Sequence, residues 1–564
     1  MDQLGLGVRC GGIALAVLVS AACDGGGTAG AGGGSQTTTS STTGDGGSSG
    51  SGGSSTSASG GGGQGGMPGT GGAGGMGGGS AAGGGGGIPE TCGDGKLDLG
   101  EECDEGDKNA NTGACTLACK HAKCGDGFVE SGAEECDEGA QNSNAGTCTL
   151  ACKVAVCGDG LKAPGEGCDD GNATDADGCN TTCLVSGSAL WTKSYNGAAG
   201  GNDLWNGVAV DAAGNIVVTG SEAVAGQGLN IITRKLDPQG NTLWTQTYAG
   251  VVPGGDDEGN GVAVDGAGNV AVIGYETTAM QAKNIWLRKY APNGAVLWTL
   301  SINGSPAVNF DDIGYAVTFN AAGDLCIAAS ATFKAGQGRD TVVAKMRGTD
   351  GTFVWLDAYN GPVSQDDEAR AVAVDPQGDV IAAGVTRGPT SFDVWVRKIH
   401  DLGMTDAIAW TKTYDGAASG LDAAFGVAVD AQGNPVVAGA ESVAGQSLNL
   451  WVRKYDGVQG NTLWTQGYNG AAGKNDIGES VAIDPGGDVV VAGFESLADL
   501  STDLLVRKLD ASGNLRWSQT YDGPSHSNDT AGAVAILPGK DIAVAGYENV
   551  VGQNANAIVS RRAP

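Results

Sequence analysis

A tryptophan recurs seven times in the C-terminal part of the chain, at nearly equal intervals of 53 to 57 residues. The seven positions are Trp191, Trp244, Trp298, Trp355, Trp410, Trp464 and Trp517. Self-similarity at a fixed period is typical of repeat architectures, in which each unit buries its apolar face against its neighbour. This period therefore constrains the fold more than any other feature of the 564 residues.

Each interval contains four short β-rich runs, which we name a to d. In the first complete repeat they are Val208-Ala-Val, Ile216-Val-Val, Ile231-Ile-Thr-Arg-Lys and Leu243-Trp-Thr. Turns of the form Asp/Asn-x-x-Gly separate several of these runs, and glycine supplies the positive φ that a tight hairpin needs. Four strands in a repeat of this length predict one blade of a β-propeller.

The two ends of the repeat region are out of phase in a complementary way. The first run, beginning at Ala189, is a d strand with no a, b or c strand before it. The last repeat supplies strands a, b and c around Val534, Ile542 and Ala557, and then stops. Together the two ends make one complete blade, so we predict seven blades in a ring that leaves no open sheet edge. The predicted head covers residues 187–564.

These repeats resemble the seven-bladed β-propeller repeat family of secreted bacterial proteins over essentially all of residues 187–564. The resemblance implies an all-β fold: a seven-bladed β-propeller closed by its N- and C-terminal strands. The repeated tryptophans also suggest quinoprotein dehydrogenases, which are expected to have eight blades and a pair of adjacent cysteines. The sequence has neither feature, so packing between blades is the favoured role for the indoles.

The first 90 residues predict a leader and a tether. Residues 1–23 contain a short apolar stretch followed by Ser20-Ala-Ala-Cys23, which resembles a lipoprotein-type signal with Cys23 as the lipidated residue. The alternative is ordinary cleavage after Ala22, which would give a freely secreted protein. Residues 24–90 are almost entirely Gly, Ser, Thr and Ala, and such a segment is predicted to be a disordered linker.

Three cysteine-rich repeats fill residues 91–184, each with four cysteines. The twelve are Cys92, Cys103, Cys115, Cys119, Cys124, Cys136, Cys148, Cys152, Cys157, Cys168, Cys179 and Cys183. Each copy opens with Cys-Gly-Asp-Gly and closes with two cysteines four positions apart. We predict two disulfides per copy, because modules of about thirty residues need covalent cross-links to be stable. Three pairings of the four cysteines are possible. Zinc is the alternative, but the Cys-x2-Cys knuckles that zinc modules normally show are missing.

These copies closely resemble the cysteine-rich disulfide repeat of exported myxobacterial proteins. That resemblance implies a stalk or display module with no known chemistry.

Charge and repetition suggest what the head can bind. The formal net charge of −32 makes nucleic acid a poor partner and leaves room for cations. An aspartate precedes the first strand of every repeat, as a loop cap or, alternatively, as a cation ligand. These are Asp203, Asp257, Asp312, Asp367, Asp422, Asp476 and Asp529. We predict that they are linked to the cations that recur in strand c, which are Lys235, Lys289, Lys345, Lys398, Lys454, Lys508 and Arg562.

No catalytic constellation is found in the sequence. His400 and His526 lack the neighbouring acidic and nucleophilic residues of a catalytic triad. Cys326 is predicted to be a buried apolar residue of a b strand. We predict no enzymatic activity and no cofactor, with calcium as the alternative. A single cluster of unlike polar residues at the channel mouth, breaking the sevenfold pattern, would instead favour an enzyme.

The d–a and b–c links are expected to be long, at around ten residues, and to lie at one end of the head. We therefore predict an exported, lipid-anchored, monomeric cell-surface protein that uses this face to bind a protein, a glycan or a small ligand. The membrane is predicted to be contacted through the lipid anchor only. The alternatives are an extracellular lyase or hydrolase acting on a polymer, and a calcium-dependent structural protein of the envelope.

Overall fold

A computed structural model describes residues 91–175, 177–279, 281–304, 310–334 and 337–564. The predicted signal, Cys23 and the predicted linker lie outside the described residues. Strands make up the regular structure of this part, apart from two single 3-10 turns over Gly106–Lys108 and Gly139–Gln141. No α-helix occurs in the described ranges, and so none of them contains a helix that could span a membrane.

The 28 strands form seven four-stranded antiparallel sheets. The outermost strand of the closing sheet is β1 (Ala189–Tyr195). Blades 1 to 3 are β2 (Leu204–Val210), β3 (Ile216–Val224), β4 (Gly228–Leu236), β5 (Thr242–Tyr248); β6 (Glu258–Val264), β7 (Val270–Thr278), β8 (Gln281–Tyr290), β9 (Val296–Ile302); β10 (Ile313–Phe319), β11 (Leu325–Ala331), β12 (Asp340–Met346), β13 (Phe353–Tyr359). Blades 4 to 6 are β14 (Glu368–Val374), β15 (Val380–Arg387), β16 (Phe392–Asp401), β17 (Asp406–Tyr414); β18 (Ala423–Val429), β19 (Pro435–Ser442), β20 (Leu448–Tyr455), β21 (Thr462–Tyr468); β22 (Asp476–Ile483), β23 (Val489–Ser496), β24 (Thr502–Leu509), β25 (Leu515–Tyr521). Blade 7 is β26 (Asp529–Ile536), β27 (Ile542–Asn549), β28 (Ala555–Arg562) and β1.

Burial follows the position of a strand within its blade. The middle strands b and c are covered on both faces, and every residue of β11 and β12 is buried. Their continuous apolar runs suit that position, as in other strands covered on both sides. The outer strand d alternates, so that β5 exposes every second residue beyond its first two. The four strands of each repeat are those that the sequence predicts.

Blade 7 joins the two ends of the head in one sheet. Strand β1 pairs antiparallel with β28, and Trp191 lies opposite Arg561 while Ser194 lies opposite Ile558. The backbone of Gly187 extends this pairing, because its N–H donates to the carbonyl of Ala563 at 3.2 Å. The predicted seven-bladed propeller, closed by its own first and last strands, is confirmed.

Hydrophobic cores lie between neighbouring blades rather than within one blade. Trp205 of blade 1, for example, packs in one cluster with Ala543 and Val559 of blade 7. Trp286, Trp395 and Trp451 of the c strands are fully buried in the same kind of interface. Burial of such large aromatic side chains contributes most to packing energies of this kind.

The two ends of the propeller differ in their connections. We name the end with the d–a and b–c links the loop face, and the end with the a–b and c–d turns the turn face. The d–a links span 7 to 10 residues, as expected, but the b–c links span only 2 to 8. The prediction of long b–c links is wrong because strands b and c continue pairing beyond the core. In blade 1 this pairing extends to Val224 and Gly228.

All twelve cysteines of the three modules are disulfide-bonded. In the second and third modules the first cysteine pairs with the fourth and the second with the third. The bonds are Cys124–Cys152, Cys136–Cys148, Cys157–Cys183 and Cys168–Cys179. Residues 91–109 and 117–120 form a compact unit by themselves, with Cys92 bonded to Cys119.

The motif shared by the modules has a structural explanation. In the second module, Asp137 follows the second cysteine and accepts N–H bonds from Gly125 at 2.9 Å and from Asp126 at 3.1 Å. Its other oxygen accepts from Gly139 at 2.6 Å. The aspartate thus fixes the Cys-Gly-Asp-Gly loop through backbone donors, as Asp commonly does in turns.

Candidate functional site

The seven aspartates that precede the a strands form what we call the upper ring, at the loop face. Each is at most 2 % exposed and accepts two backbone N–H bonds. For Asp203 the donors are Gly197 of the d–a link, at 2.5 Å, and Ala223 of the next strand, at 3.0 Å. The corresponding distances in the other blades are 2.5–2.7 Å and 2.8–3.2 Å. This is the geometry of a loop cap.

Burial raises the pKa of every upper-ring carboxyl, although the backbone N–H donors offset part of the effect. The pKa rises to about 6 for Asp422 and Asp529. Both oxygens of each carboxylate are committed to its own blade, and none of the seven lines the channel cavity. The ring therefore fastens each d–a link to the strand beside it.

The cations of strand c pair with carboxylates that differ from the predicted ones. Lys235 lies 2.8 Å from Asp211, which follows strand a, and Lys508 lies 3.1 Å from Asp484. The lysines of blades 2, 4 and 5 are likewise paired, at 2.7 to 3.4 Å. We name these partners the lower ring: Asp211, Asp265, Asp375, Asp430 and Asp484.

The predicted link between the upper-ring aspartates and the cations is wrong for a topological reason. Strands a and c run in the same direction, so both end at the turn face. The cations near the ends of the c strands therefore meet carboxylates that follow strand a, whereas the upper ring precedes strand a at the opposite end.

Two blades depart from the lower-ring pattern. Blade 3 has Asn320 in place of the aspartate, and Lys345 instead contacts Asp401 of the next blade at 2.7 Å. Blade 7 has Leu537 there, and Arg562 donates to the carbonyl of Gly187 at 3.2 Å. The cation in strand c thus keeps a partner even where the aspartate is missing.

The seven a strands enclose a central channel with a cavity of about 180 Å³. One layer of its lining is a ring of valines: Val208, Val262, Val317, Val372, Val427, Val481 and Val534. Two residues nearer the loop face lies a second layer, which we name the channel ring. In blade order it consists of Asn206, Asn260, Tyr315, Arg370, Phe425, Glu479 and Gly532. Unlike the rings above, this layer differs strongly in polarity from blade to blade.

Arg370 is the most buried charge of the channel ring, with 5 % exposure. Its Nε and Nη2 donate to Glu368 at 2.8 and 2.5 Å, and its Nη1 is buried with no acceptor among the described residues. A buried donor without an acceptor costs about 1–3 kcal/mol. The Tyr315 and Phe425 rings lie on either side, with centroids 5.6 and 5.2 Å from the guanidinium carbon.

Glu368 is buried beside this arginine and has a second cation partner, Arg339, at 2.6 Å. Burial alone would raise the pKa of Glu368, but the two guanidinium groups outweigh it and the pKa is lowered. Glu368 is therefore the ionised anchor of Arg370, and it is fully occupied.

Glu479 lies two blades from Arg370 and is half-buried in the channel. The surrounding protein raises its pKa to about 8, and the positive charge of Arg370 offsets only part of this. Within the described residues no hydrogen bond holds its carboxyl group. Its oxygens are therefore available to a molecule in the channel.

The channel ring is missing from the sequence predictions because they rest on residues that the seven repeats have in common. Aligning the seven a strands shows one column in which Asn, Asn, Tyr, Arg, Phe, Glu and Gly occupy equivalent places. The signal that indicates this ring in the sequence is a charged residue in the alignment column that faces the channel. Cys326, by contrast, is fully buried in β11, where burial raises its pKa to about 12.

Groups of metal-ligating type occur in the cysteine modules of the described chain, and Cys124, Glu134 and Cys152 form one of them. Every cysteine in these groups belongs to a disulfide, so its sulfur is not a thiolate ligand.

Fold and disulfides together define a seven-bladed β-propeller with a cysteine-rich, disulfide-bonded N-terminal module. Residues 147–184 match the family model of a domain of unknown function, DUF4215. No curated protein matches the sequence.

Several solved structures resemble the propeller in fold. BamB from Moraxella catarrhalis is 12 % identical, with 66 % of this chain and 99 % of that chain covered and a TM-score of 0.35. Sqt1 from Chaetomium thermophilum is 13 % identical, with coverages of 64 % and 83 % and a TM-score of 0.38. A quinohemoprotein alcohol dehydrogenase from Comamonas testosteroni is 10 % identical, with coverages of 67 % and 76 % and a TM-score of 0.37. Similarities this weak give no information on function.

Proposed function

We propose that this chain is an exported, lipid-anchored surface protein whose propeller binds a partner at the loop face. The observation that carries the proposal is the contrast between a frame repeated in every blade and a loop-face end that differs from blade to blade. The d–a links vary in length and sequence, and the channel ring beneath them varies in polarity. Variable loops on a rigid scaffold are where recognition usually resides.

The disulfides support the exported location. Twelve bonded cysteines within one short region are typical of an oxidising compartment outside the cytoplasm. A tether of residues 24–90, anchored at Cys23, would hold the head away from the membrane. The partner classes remain a protein, a glycan or a small ligand.

Binding is tested with the full disulfide-bonded chain, labelled and added to isolated envelope polysaccharide and envelope protein. Replacing residues 251–254 of a d–a link by Gly-Ser-Gly-Ser should weaken binding at least tenfold. The matched control is Val458→Ser, which removes an exposed side chain (84 % exposed) from a c–d turn on the turn face. Equal effects of both variants, or no binding to either fraction by the folded protein, would contradict the proposal.

The anchor is tested separately by labelling cells with a radioactive fatty acid. Cys23→Ala should abolish incorporation, whereas Cys10→Ala, the matched cysteine of the leader, should not. Release of an unlabelled wild-type protein into the medium would favour ordinary secretion instead.

An enzyme acting on an extracellular polymer is the second candidate function. The channel ring is a cluster of unlike residues that breaks the sevenfold pattern, and the raised pKa of Glu479 suits a general acid. Turnover of an envelope polysaccharide that Glu479→Gln abolishes, with the fold intact, would establish this candidate.

A further inference from the structure

The polar groups of the channel ring are divided between two sides of the channel. Blades 3, 4 and 5 contribute an arginine between two aromatic rings, Tyr315, Arg370 and Phe425. Blades 6, 1 and 2 contribute hydrogen-bond acceptors, Glu479, Asn206 and Asn260. Blade 7 lies between blades 6 and 1 on the acceptor side and contributes Gly532, which adds no polar side chain.

The arginine side has an unused donor. Two of the three guanidinium nitrogens of Arg370 are held by Glu368, and the third, Nη1, is buried without an acceptor in the part of the chain that the structure describes. A guanidinium fixed in this way matches a carboxylate in geometry and charge. The flanking rings of Tyr315 and Phe425 present apolar surface to the rest of such a ligand.

The acceptor side has unused oxygens. Asn206 donates through Nδ2 to the carbonyl of Gly259 at 3.1 Å, and Asn260 donates to the carbonyl of Gly314 at 2.9 Å. These bonds fix both amides and leave each Oδ1 as an acceptor. A positive charge bound beside Glu479 favours the ionised form of its carboxyl, so the three residues together suit a ligand group that donates hydrogen bonds and carries positive charge.

We propose that the channel binds a small zwitterion of the amino-acid class, with its carboxylate at Arg370 and its ammonium group toward Glu479, Asn206 and Asn260. The proposal is independent of binding by the loop face, because the channel can be occupied with no macromolecule present.

Size and charge limit the ligand further. At about 10–15 Å³ per water-sized group, a cavity of about 180 Å³ holds roughly 12 to 18 such groups. A protein with a formal net charge of −32 repels multiply charged anions and tolerates a molecule with no net charge. The valine ring next to the channel ring offers an apolar floor to a hydrophobic side chain.

The test is calorimetric titration of the full disulfide-bonded chain with L-phenylalanine. Three further probes are 3-phenylpropionate, which lacks the ammonium group, phenethylamine, which lacks the carboxylate, and inorganic phosphate. We expect saturable binding of L-phenylalanine, with each of the other three at least tenfold weaker. Absence of saturable binding at millimolar concentration, or tighter binding of phosphate than of L-phenylalanine, overturns the proposal.

Two variants test which residue binds each end of the ligand. Arg370→Gln should weaken L-phenylalanine and 3-phenylpropionate at least tenfold, and Glu368 then keeps Arg339 as its partner. Glu479→Gln should weaken L-phenylalanine but not 3-phenylpropionate, and it breaks no hydrogen bond of the described fold. Gln432→Ala, at the opposite mouth of the channel, is the control that should change neither. Binding of L-phenylalanine that neither channel variant alters overturns the proposal, and the second variant keeps the test decisive if the first does not fold.

Discussion

The two aspartate rings of the propeller look alike in the sequence and have opposite physical roles. Among the described residues the upper ring is buried and forms no ion pair, each carboxylate accepts two backbone N–H bonds, with a further hydroxyl bond from Thr386 at Asp367, and the pKa values are raised. The lower ring pairs with buried lysines, and the pKa values of Asp211, Asp265 and Asp430 are lowered, because the lysine and the turn donors outweigh burial.

The comparison also shows how much variation each ring tolerates. The upper-ring aspartate is present in all seven blades, because a cap with two backbone donors needs two acceptor oxygens in a fixed position. The lower ring lacks its aspartate in blades 3 and 7, where Asn320 and Leu537 take its place. A lysine needs only some acceptor within reach, and the neighbouring blade can supply one.

The largest effect is expected from breaking one pair of the lower ring. Lys508→Ala leaves Asp484 buried without its cation, and we expect the free energy of unfolding to fall by about 3–5 kcal/mol. Urea titration followed by circular dichroism measures the change. The double variant Asp484→Leu/Lys508→Met should recover at least half of the loss, since apolar replacement of a buried pair is often neutral. A small effect of Lys508→Ala would mean that the lower ring is not held by these pairs.

Removing one upper-ring cap should cost less. Asp529→Ala takes the acceptor from the N–H groups of Gly523 and Asn549. Each unpaired buried N–H costs about 1–3 kcal/mol, and water at the loop face can replace one bond, so we expect a loss of about 2 kcal/mol. Asp522→Ala, an exposed acid of the same link, is the control and should change stability by less than about 0.5 kcal/mol. Equal losses in both variants would argue against the capping role.

The rings should also respond oppositely to pH. The upper-ring pKa values lie above the ordinary 3.8, so the folded state binds more protons than the unfolded state between pH 3.8 and about 6. Stability should therefore rise as the pH falls from 7 toward 4.5. The lowered pKa values of the lower ring add stability that is present above pH 3.8 and lost as the pH falls below it.

The thermal midpoint measured from pH 7 to pH 3 tests this profile. Asp529→Asn should flatten the slope between pH 7 and 4.5, whereas Asp211→Asn should leave that slope unchanged. A slope altered equally by both variants would remove the distinction between the rings.

The smallest effect is expected from restoring the common pattern in blade 3. There Asn320 takes the position of the lower-ring aspartate, and Asp324 takes that of its asparagine partner. Exchanging the two residues, Asn320→Asp/Asp324→Asn, should change the free energy of unfolding by less than about 0.5 kcal/mol, because Lys345 keeps Asp401. A loss above 2 kcal/mol in urea titration would show that this ring is as strict as the upper one.

The fold could be predicted from the sequence because repetition and phase are visible in it. The spacing of the tryptophans gave the number of blades, and the unmatched strands at Ala189 and Ala557 gave the closure. The disulfide pairing could not be derived, since four cysteines per module allow three solutions. The extent of the b–c links was also inaccessible, because apolar patterning does not show where two strands stop pairing.

The two rings teach a different lesson. The pairing of Lys235 with Asp211 rather than Asp203 follows from strand direction alone, so topology could have corrected the expected link. The channel ring was overlooked because a residue such as Arg370 occurs once among unlike equivalents. Positions at which all seven repeats carry the same residue identify the scaffold. The candidate site lies at a position where the repeats differ.

Closure of the ring has a consequence for how the chain is made. Arg562 and Gly187, which meet in blade 7, are 375 residues apart in sequence. A nascent chain can complete its small disulfide modules early, yet its first head strand has no strand to pair with until β28 has emerged. Until then the blades form an open arc with unpaired strand edges at both ends. Such edges promote aggregation. Cells that produce this protein should therefore depend on holding chaperones until the chain is complete.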